Sequence, residues 1–457
     1  MLFSSIPFLY YFLPAALLLY AAVPAGMKNA ALLLASLIFY AWGEPRLVLL
    51  MLLTVFCGYI CGILTERYPR RKKLFMALVL MTCLGMLGYF KYADFFIANF
   101  NAVTGLSLPL LRVALPVGIS FYTFQILSYN IDVYRGSVAA QRNFIDLAAY
   151  IAFFPQLIAG PIVRYSHIAA QLRQRTHSID KTAEGMRRFI LGLAKKILLA
   201  NPLGELCNIY QGTVDNSVLF CWLYGVAFML QIYFDFSGYS DMAIGLGRIC
   251  GFDLPENFNY PYTANSITDF WRRWHITLGA WFRDYVYIPL GGSRCSRLRT
   301  LGNILLVWML TGFWHGAAWN FILWGLYFAV LLLAEKLWLL PYLPRAGVWG
   351  RVYVLLAVMF GFILFNAGSV GEALDCLGGL FGAGGLPVVS AEAVYYLRSY
   401  GVILLLAVIG ATPLPAKTAA RLPLVQYLEP GLLVGLLVVA TAYLVDGSFD
   451  PFLYFRF

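Results

Sequence analysis

Apolar stretches long enough to cross the ~30 Å hydrocarbon core of a bilayer recur along this chain, near residues 6–24, 47–64, 74–92, 218–234, 318–340, 349–366, 394–412 and 431–446. That pattern excludes a water-soluble domain, because so much apolar surface has no hiding place in water. Composition agrees, with 61% hydrophobic and 12% charged residues and a mean hydropathy of +0.75. Shorter or more polar stretches near 29–43, 110–131, 144–163, 186–200, 270–289 and 301–314 read as tilted, re-entrant or interfacial helices. The expectation is an all-α polytopic membrane protein of roughly ten to twelve transmembrane helices plus interfacial ones. No internal repeat is visible, so residues 1–457 read as a single membrane-embedded domain.

Charge gives the orientation. The net +11 is concentrated in Arg67 to Lys73, Arg173 to Lys196, Arg294 to Arg299 and Lys417 to Arg421, which the positive-inside rule makes cytoplasmic. The segment Asn366 to Tyr395 carries Glu372, Asp375 and Glu392 with no Lys or Arg, and reads as external. Counting crossings from these loops puts both termini outside. Topology and contact with anionic membrane lipid account for the basic excess, so nucleic acid is not an expected partner. The start Met1-Leu-Phe-Ser-Ser-Ile-Pro-Phe has no basic n-region and no small-residue cleavage site, and reads as a retained helix.

Several polar-looking features carry no chemistry. The eight cysteines lie mostly in apolar segments, and Cys57 and Cys61 face no second ligand pair, so they read as packing residues and no metal site is expected. Gly378 to Gly385 lacks a following Lys-Ser/Thr and reads as an external turn rather than a phosphate-binding loop.

The ionisable residues on apolar ground gather mid-chain, and intramembrane ionisable groups default to function. In Phe153-Phe-Pro-Gln-Leu-Ile-Ala-Gly-Pro-Ile-Val-Arg164, which contains Gln156, two prolines and a glycine break regular helix. Such backbone is tolerated at membrane depth only against protein or a water-filled cavity; a simple kink is the alternative. Asp235 and Asp241 sit in Tyr233-Phe-Asp-Phe-Ser-Gly-Tyr-Ser-Asp241. They could orient a histidine, pair with an arginine or relay protons. In Asp269 to Gly292, helical spacing places Trp271, Trp274, His275, Leu278 and Phe282 on one face. Arg272, Arg273 and Arg283 then lie toward headgroups or an anionic ligand, and an interfacial helix explains the same residues.

His315, in Thr311-Gly-Phe-Trp-His-Gly-Ala-Ala-Trp-Asn320, is the sharpest of these signals. Gly312 and Gly316 allow close backbone approach, while Trp314 and Trp319 supply apolar walls. A pocket of low dielectric disfavours the imidazolium, and a neutral imidazole can take the proton of an attacking hydroxyl. A structural histidine bonded to a carbonyl is the alternative.

Taken together, the Phe153–Arg164, Tyr233–Asp241 and Asp269–His275 elements, Trp281-Phe-Arg-Asp-Tyr-Val-Tyr-Ile-Pro-Leu-Gly-Gly292 and Phe313-Trp-His-Gly316 resemble the membrane-bound O-acyltransferases. They are most similar to the bacterial branch containing the membrane subunits that O-acetylate alginate and peptidoglycan. Met1-Leu-Phe-Ser-Ser and Tyr40-Ala-Trp-Gly-Glu-Pro45 fit that branch as well. The resemblance implies helices around a central tunnel with a motif core over 116–330, and residence in a bacterial cytoplasmic membrane. A cytoplasmic acyl thioester, acetyl-CoA or an acyl carrier protein, would be the donor, with no bound cofactor. It places the family histidines at His315 and His275, with Asp269, Arg272, Arg273 and Trp274 shaping the tunnel floor. Residues 341–430 match no motif.

In the tail 449–457, Phe452-Leu-Tyr-Phe-Arg-Phe457 is similar to an F-x-Y-x-x-F ending found in envelope-polymer acyltransfer systems. There Tyr454 would carry the acyl group outward to a polysaccharide, through an extracytoplasmic SGNH-hydrolase-like partner. A phenol is a reachable nucleophile whose ester stays activated; an aromatic tail docked at the interface is the alternative. A D-alanyl transferase for teichoic acid and, more distantly, a proton-coupled transporter using Asp235 and Asp241 are the competing readings.

Overall fold

A computed structural model describes residues 3–446, and every element in them is helical. In the bilayer, a helix satisfies all its backbone polar groups within one segment. After a π-helical turn, Pro7–Phe12, come α1 (Leu13–Ala22), α2 (Lys28–Gly43), α3 (Leu47–Arg67), α4 (Lys72–Leu87), α5 (Ala93–Thr104) and α6 (Ile119–Arg135). Short helices α7 (Phe144–Ile151), α8 (Phe154–Leu157) and α9 (Tyr165–Arg173) follow, then α10 (Ile179–Ala194), α11 (Asn201–Gly212) and the long α12 (Val218–Ile249). Next are α13 (Ile267–Arg273), α14 (Ile276–Phe282), α15 (Arg297–His315), α16 (Trp319–Ala334), α17 (Val348–Asn366), α18 (Val370–Gly379), α19 (Ala391–Gly410), α20 (Leu414–Arg421) and α21 (Pro423–Asp446).

The all-α polytopic expectation is met. Among the described residues, eight helical stretches are long and apolar enough to span a membrane: Ala25–Gly43, Leu47–Arg67, Pro69–Thr104, Val218–Ile249, Trp319–Leu339, Val348–Asn366, Ala391–Gly410 and Tyr427–Asp446. The stretch expected over 6–24 is shorter, Pro7–Ala22. Many helix starts follow directly from sequence. Side chains of Asn143, Ser266, Ser296, Ser369 and Ser390 accept the N–H of Ile145, Asp269, Arg299, Glu372 and Ala393, filling donors that a helix cannot satisfy itself.

Contacts divide the chain into two compact units, Met1–Phe189 with Ser240–Pro255, and Ile190–Tyr239 with Glu256–Phe457. In the first, α3 packs on α4 and α6, and α2 on α7. There α10 meets α12 at backbone distance: a Cβ on Gly245 would stand 2.6 Å from the Gly185 carbonyl oxygen. In the second unit, α15 and α16 form the most extensive helix pair, with α17 against α16. Its core joins Phe228, Tyr233, Phe270, Trp274, Trp324 and Phe362.

Candidate active site

The site lies in the second unit, and it begins with the α15–α16 hairpin. Glycines let these two helices touch: a Cβ on Gly312 would sit 2.1 Å from the Phe321 carbonyl oxygen, and one on Gly325 2.2 Å from that of Trp308. The chain reverses over Gly316 to Ala318, so His315, the last residue of α15, sits at the hairpin tip and is buried. Aromatic rings enclose it. Trp314, Trp324 and Phe365 lie 4.8, 5.2 and 5.3 Å from the imidazole, all edge-on. The wall expected from Trp319 is supplied by Trp324 instead, since Trp319 is 55% exposed. The reason is the reversal: α16 swings the first residue after the turn outward and brings back the residue five positions later.

His275 is held in a different way. A single helix was expected through Trp271 to Phe282, but the chain breaks there into α13 and α14, with His275 at φ +44°. The break is made by a neighbouring loop. The amide of Asn259 donates to the Arg273 carbonyl and that of Ile276 to the Asn257 carbonyl, drawing off bonds that would have continued the helix. The five residues assigned to one face nonetheless share one surface, for Trp271, Trp274, His275, Leu278 and Phe282 all line the same cavity of about 410 Å³.

The tautomer of His275 follows from its partners. The backbone N–H and hydroxyl of Thr277 both donate to Asn257 Oδ1, at 3.4 and 2.8 Å, which identifies that atom as the oxygen. His275 Nδ1, 3.0 Å from the same oxygen, must then be the N–H donor, and Nε2 carries the lone pair. Nε2 is buried and has no hydrogen-bond partner among the described residues. Burial holds this imidazole well below the ordinary histidine pKa, because the charged form loses its hydration.

The structure brings the two histidines together through one ring: Trp314 lies 6.2 Å from His275 and 4.8 Å from His315. The cavity beside His275 has apolar walls from Ile304, Val307, Trp308 and Leu332, and carries the cations Arg283 and Lys336. Thr311, one turn before His315, also lines it. Such a slot suits a long, mostly apolar ligand with an anionic end.

The remaining expected residues divide. Asp269 pairs with Arg273 at 3.0 Å, while Arg272 is exposed. Trp274 is buried against Phe258, Phe270 and Phe362, packing that fixes the residue before His275. Asp235, 1% exposed, forms an ion pair of 2.7 Å with Lys196, and its neighbour Phe236 packs edge-on against the His275 ring at 4.7 Å. Lys196, read as part of a cytoplasmic basic run, is therefore a buried structural cation. Two residues belong to the first unit. Asp241 accepts from Arg188 Nε and Nη2 at 3.0 and 2.9 Å, and Gln156 donates to the Tyr150 carbonyl at 2.7 Å across the break between α7 and α8, whose first turn holds Pro155. Tyr454 and the tail 449–457 lie outside the described residues.

Asn257, Trp324, Phe365 and Glu335 escaped the sequence reading. Glu335 alone left a signal, a carboxylate inside the apolar run 318–340.

An all-helical membrane chain with two buried histidines near one tryptophan is compatible with acyl transfer, and the comparisons with known proteins identify the family. The profile of the membrane-bound O-acyltransferase family matches residues 138–370, and the chain belongs to that family. It is 43% identical to the "Probable alginate O-acetylase AlgI" of Azotobacter vinelandii, over 84% of this chain and 79% of that one. It is 34% identical to the peptidoglycan O-acetyltransferase of Helicobacter pylori, over 87% and 83%. It is 32% identical to the teichoic acid D-alanyltransferase of Bacillus subtilis, over 55% and 68%. The protein is a multi-pass membrane O-acyltransferase, and the transporter reading is set aside.

Proposed function

We propose that this enzyme moves an acetyl group from a cytoplasmic thioester to hydroxyls of an extracytoplasmic polysaccharide, with His315 as general base and His275 placing the donor. The observation that carries this reading is the pair of buried histidines whose rings both lie close to Trp314, with His275 lining a cavity that carries cations. In the chemical step, the acceptor oxygen attacks the thioester carbonyl while His315 takes its proton. The carbon–sulfur bond breaks, and the imidazolium returns the proton to the leaving thiolate. A neutral His275 Nε2 can accept a hydrogen bond from an amide or hydroxyl of the donor.

The first acceptor in this reading is the phenol of Tyr454, whose ester an external SGNH-hydrolase-like partner hands to the polymer. The membrane is the bacterial cytoplasmic membrane, with both termini outside, as supported by the basic residues in the loops assigned inward. Relatives that acetylate alginate or peptidoglycan are the grounds for acetyl over D-alanyl transfer.

Purified enzyme in lipid nanodiscs, supplied in parallel with acetyl-CoA and with D-alanylated carrier protein, tests both points. Intact-protein mass spectrometry should find one acetyl on Tyr454 with acetyl-CoA, and none in Tyr454→Phe. Labelling by the carrier protein alone would make the enzyme a D-alanyl transferase, and labelling that persists in Tyr454→Phe would remove the relay.

A further inference from the structure

We infer that Glu335 is a positioning residue that sets His275 relative to His315, and the inference rests on the two-histidine reading above. Glu335 is the first residue of a π-helical turn, Glu335–Leu339, at the end of α16, and it is completely buried. Among the described residues, no cation stands within ion-pair distance of its carboxylate. Instead it accepts the backbone N–H of Ile267 at 2.6 Å and of Thr268 at 2.8 Å, and the Thr268 hydroxyl at 2.6 Å.

Those amides are the first two of α13. Ser266 Oγ accepts the third, from Asp269, so the start of α13 hangs from two side chains, and one of them belongs to another helix. A helix of seven residues has little stability of its own, and an anion at its N-terminus is held by the unsatisfied N–H groups and the helix dipole. Taking a carboxylate out of water costs several kcal/mol unless such bonds replace its hydration. A bare packing role would be filled better by an apolar residue.

The consequence is a continuous path between the two imidazoles. Trp324 of α16 packs on His315, α16 ends in Glu335, Glu335 holds the start of α13, and α13 leads through Trp274 to His275. Glu335 opens the π-turn that ends α16. Lys336, next in sequence, faces the cavity beside His275.

The test compares Glu335→Gln, Glu335→Asp, Thr268→Val and Tyr327→Phe in full-length enzyme in nanodiscs. Tyr327 is the control, because it too sits on α16 but donates its 2.9 Å bond to the Ala357 carbonyl of α17 rather than to α13. The readouts are amide hydrogen exchange at Ile267 and Thr268, the rate of diethyl pyrocarbonate labelling at each of the four histidines, and turnover with acetyl-CoA.

Glu335→Gln should speed exchange at both amides about tenfold, change labelling of His275 but not of His167 or His177, and lower turnover about 10- to 100-fold. Glu335→Asp should recover most of the loss, and Thr268→Val should move all three readouts the same way by less. Tyr327→Phe should lower thermal stability alone. Unchanged exchange and labelling in Glu335→Gln would overturn the inference, as would Tyr327→Phe reproducing its effects. If Glu335→Gln does not fold, Thr268→Val decides between these outcomes. Exchange and labelling need no turnover, so failure of the His315 assignment would be seen separately.

Discussion

The two histidines share one tryptophan as a neighbour, yet their surroundings differ. His275 is held by a polar bond: Asn257 fixes its tautomer, leaving Nε2 buried without a partner among the described residues, in a residue that lines a cavity. His315 is packed among the rings of Trp314, Trp324 and Phe365 at the tip of a hairpin closed by glycines. The first arrangement suits a group that recognises a ligand without changing its own charge. The second suits a group that must gain and lose a proton in a dry place, where each electrostatic effect is enlarged. In the proposed mechanism, that difference divides the pair into a binding position at His275 and a chemical position at His315.

The largest effect expected is at His315. Replacement by Gln, which roughly keeps the volume, should lower transfer by about 10²- to 10⁴-fold, the range of a general base. His275→Gln should cost about 10- to 100-fold, mainly as a higher KM for acetyl-CoA; an equal loss at unchanged KM would erase the distinction. Asn257→Ala should act in the same direction as His275→Gln, since it frees the tautomer.

The titration of His275 gives a further separation. Its folded pKa is depressed, so folding stability is fully present above the unfolded value of about 6.5 and falls as pH drops below it, because only the unfolded chain takes up the proton. The slope is roughly 1.4 kcal/mol per pH unit. Thermal unfolding of the wild type between pH 5 and 6.5 should therefore be steeper than that of His275→Gln, and parallel curves would remove the buried neutral imidazole from the account.

Stability offers a further contrast, between the two carboxylates. Breaking the buried Asp235–Lys196 pair with Asp235→Asn should cost about 3–5 kcal/mol of stability. Asp241→Asn, at a pair whose side chains are 17% and 20% exposed, should cost about 1 kcal/mol or less. Equal losses would mean that burial does not distinguish them.

Most of the fold was legible, because hydropathy and helical length are properties of contiguous residues. The stretches 47–64, 349–366 and 431–446 match the apolar spans Leu47–Arg67, Val348–Asn366 and Tyr427–Asp446 to within four residues. The segment 74–92 grew into a continuous helical stretch, Pro69–Thr104, since Asp94 and Asn99 toward its end look like loop residues until their bonding is seen. His315 and His275 were visible as rare ionisable groups on apolar ground. Asn257 was not, because its partners His275 and Thr277 lie 18 and 20 residues away; Glu335 showed as a carboxylate on apolar ground, but its partners Ile267 and Thr268 lie 68 and 67 residues away. The break at His275 was hidden for the same reason: helical periodicity continues through it, and a separate loop takes the backbone bonds. Trp319 was chosen over Trp324 because spacing along a chain says nothing about where that chain turns back.

The central claim, that His315 performs the chemistry while the donor is bound beside His275, is tested most directly by one paired measurement. Acetyl-CoA affinity and polymer O-acetylation should be determined on the same preparations of wild type and His315→Ala, matched for expression and folding. The account predicts donor affinity within about twofold of wild type and no detectable acetylation; normal acetylation by His315→Ala would contradict it.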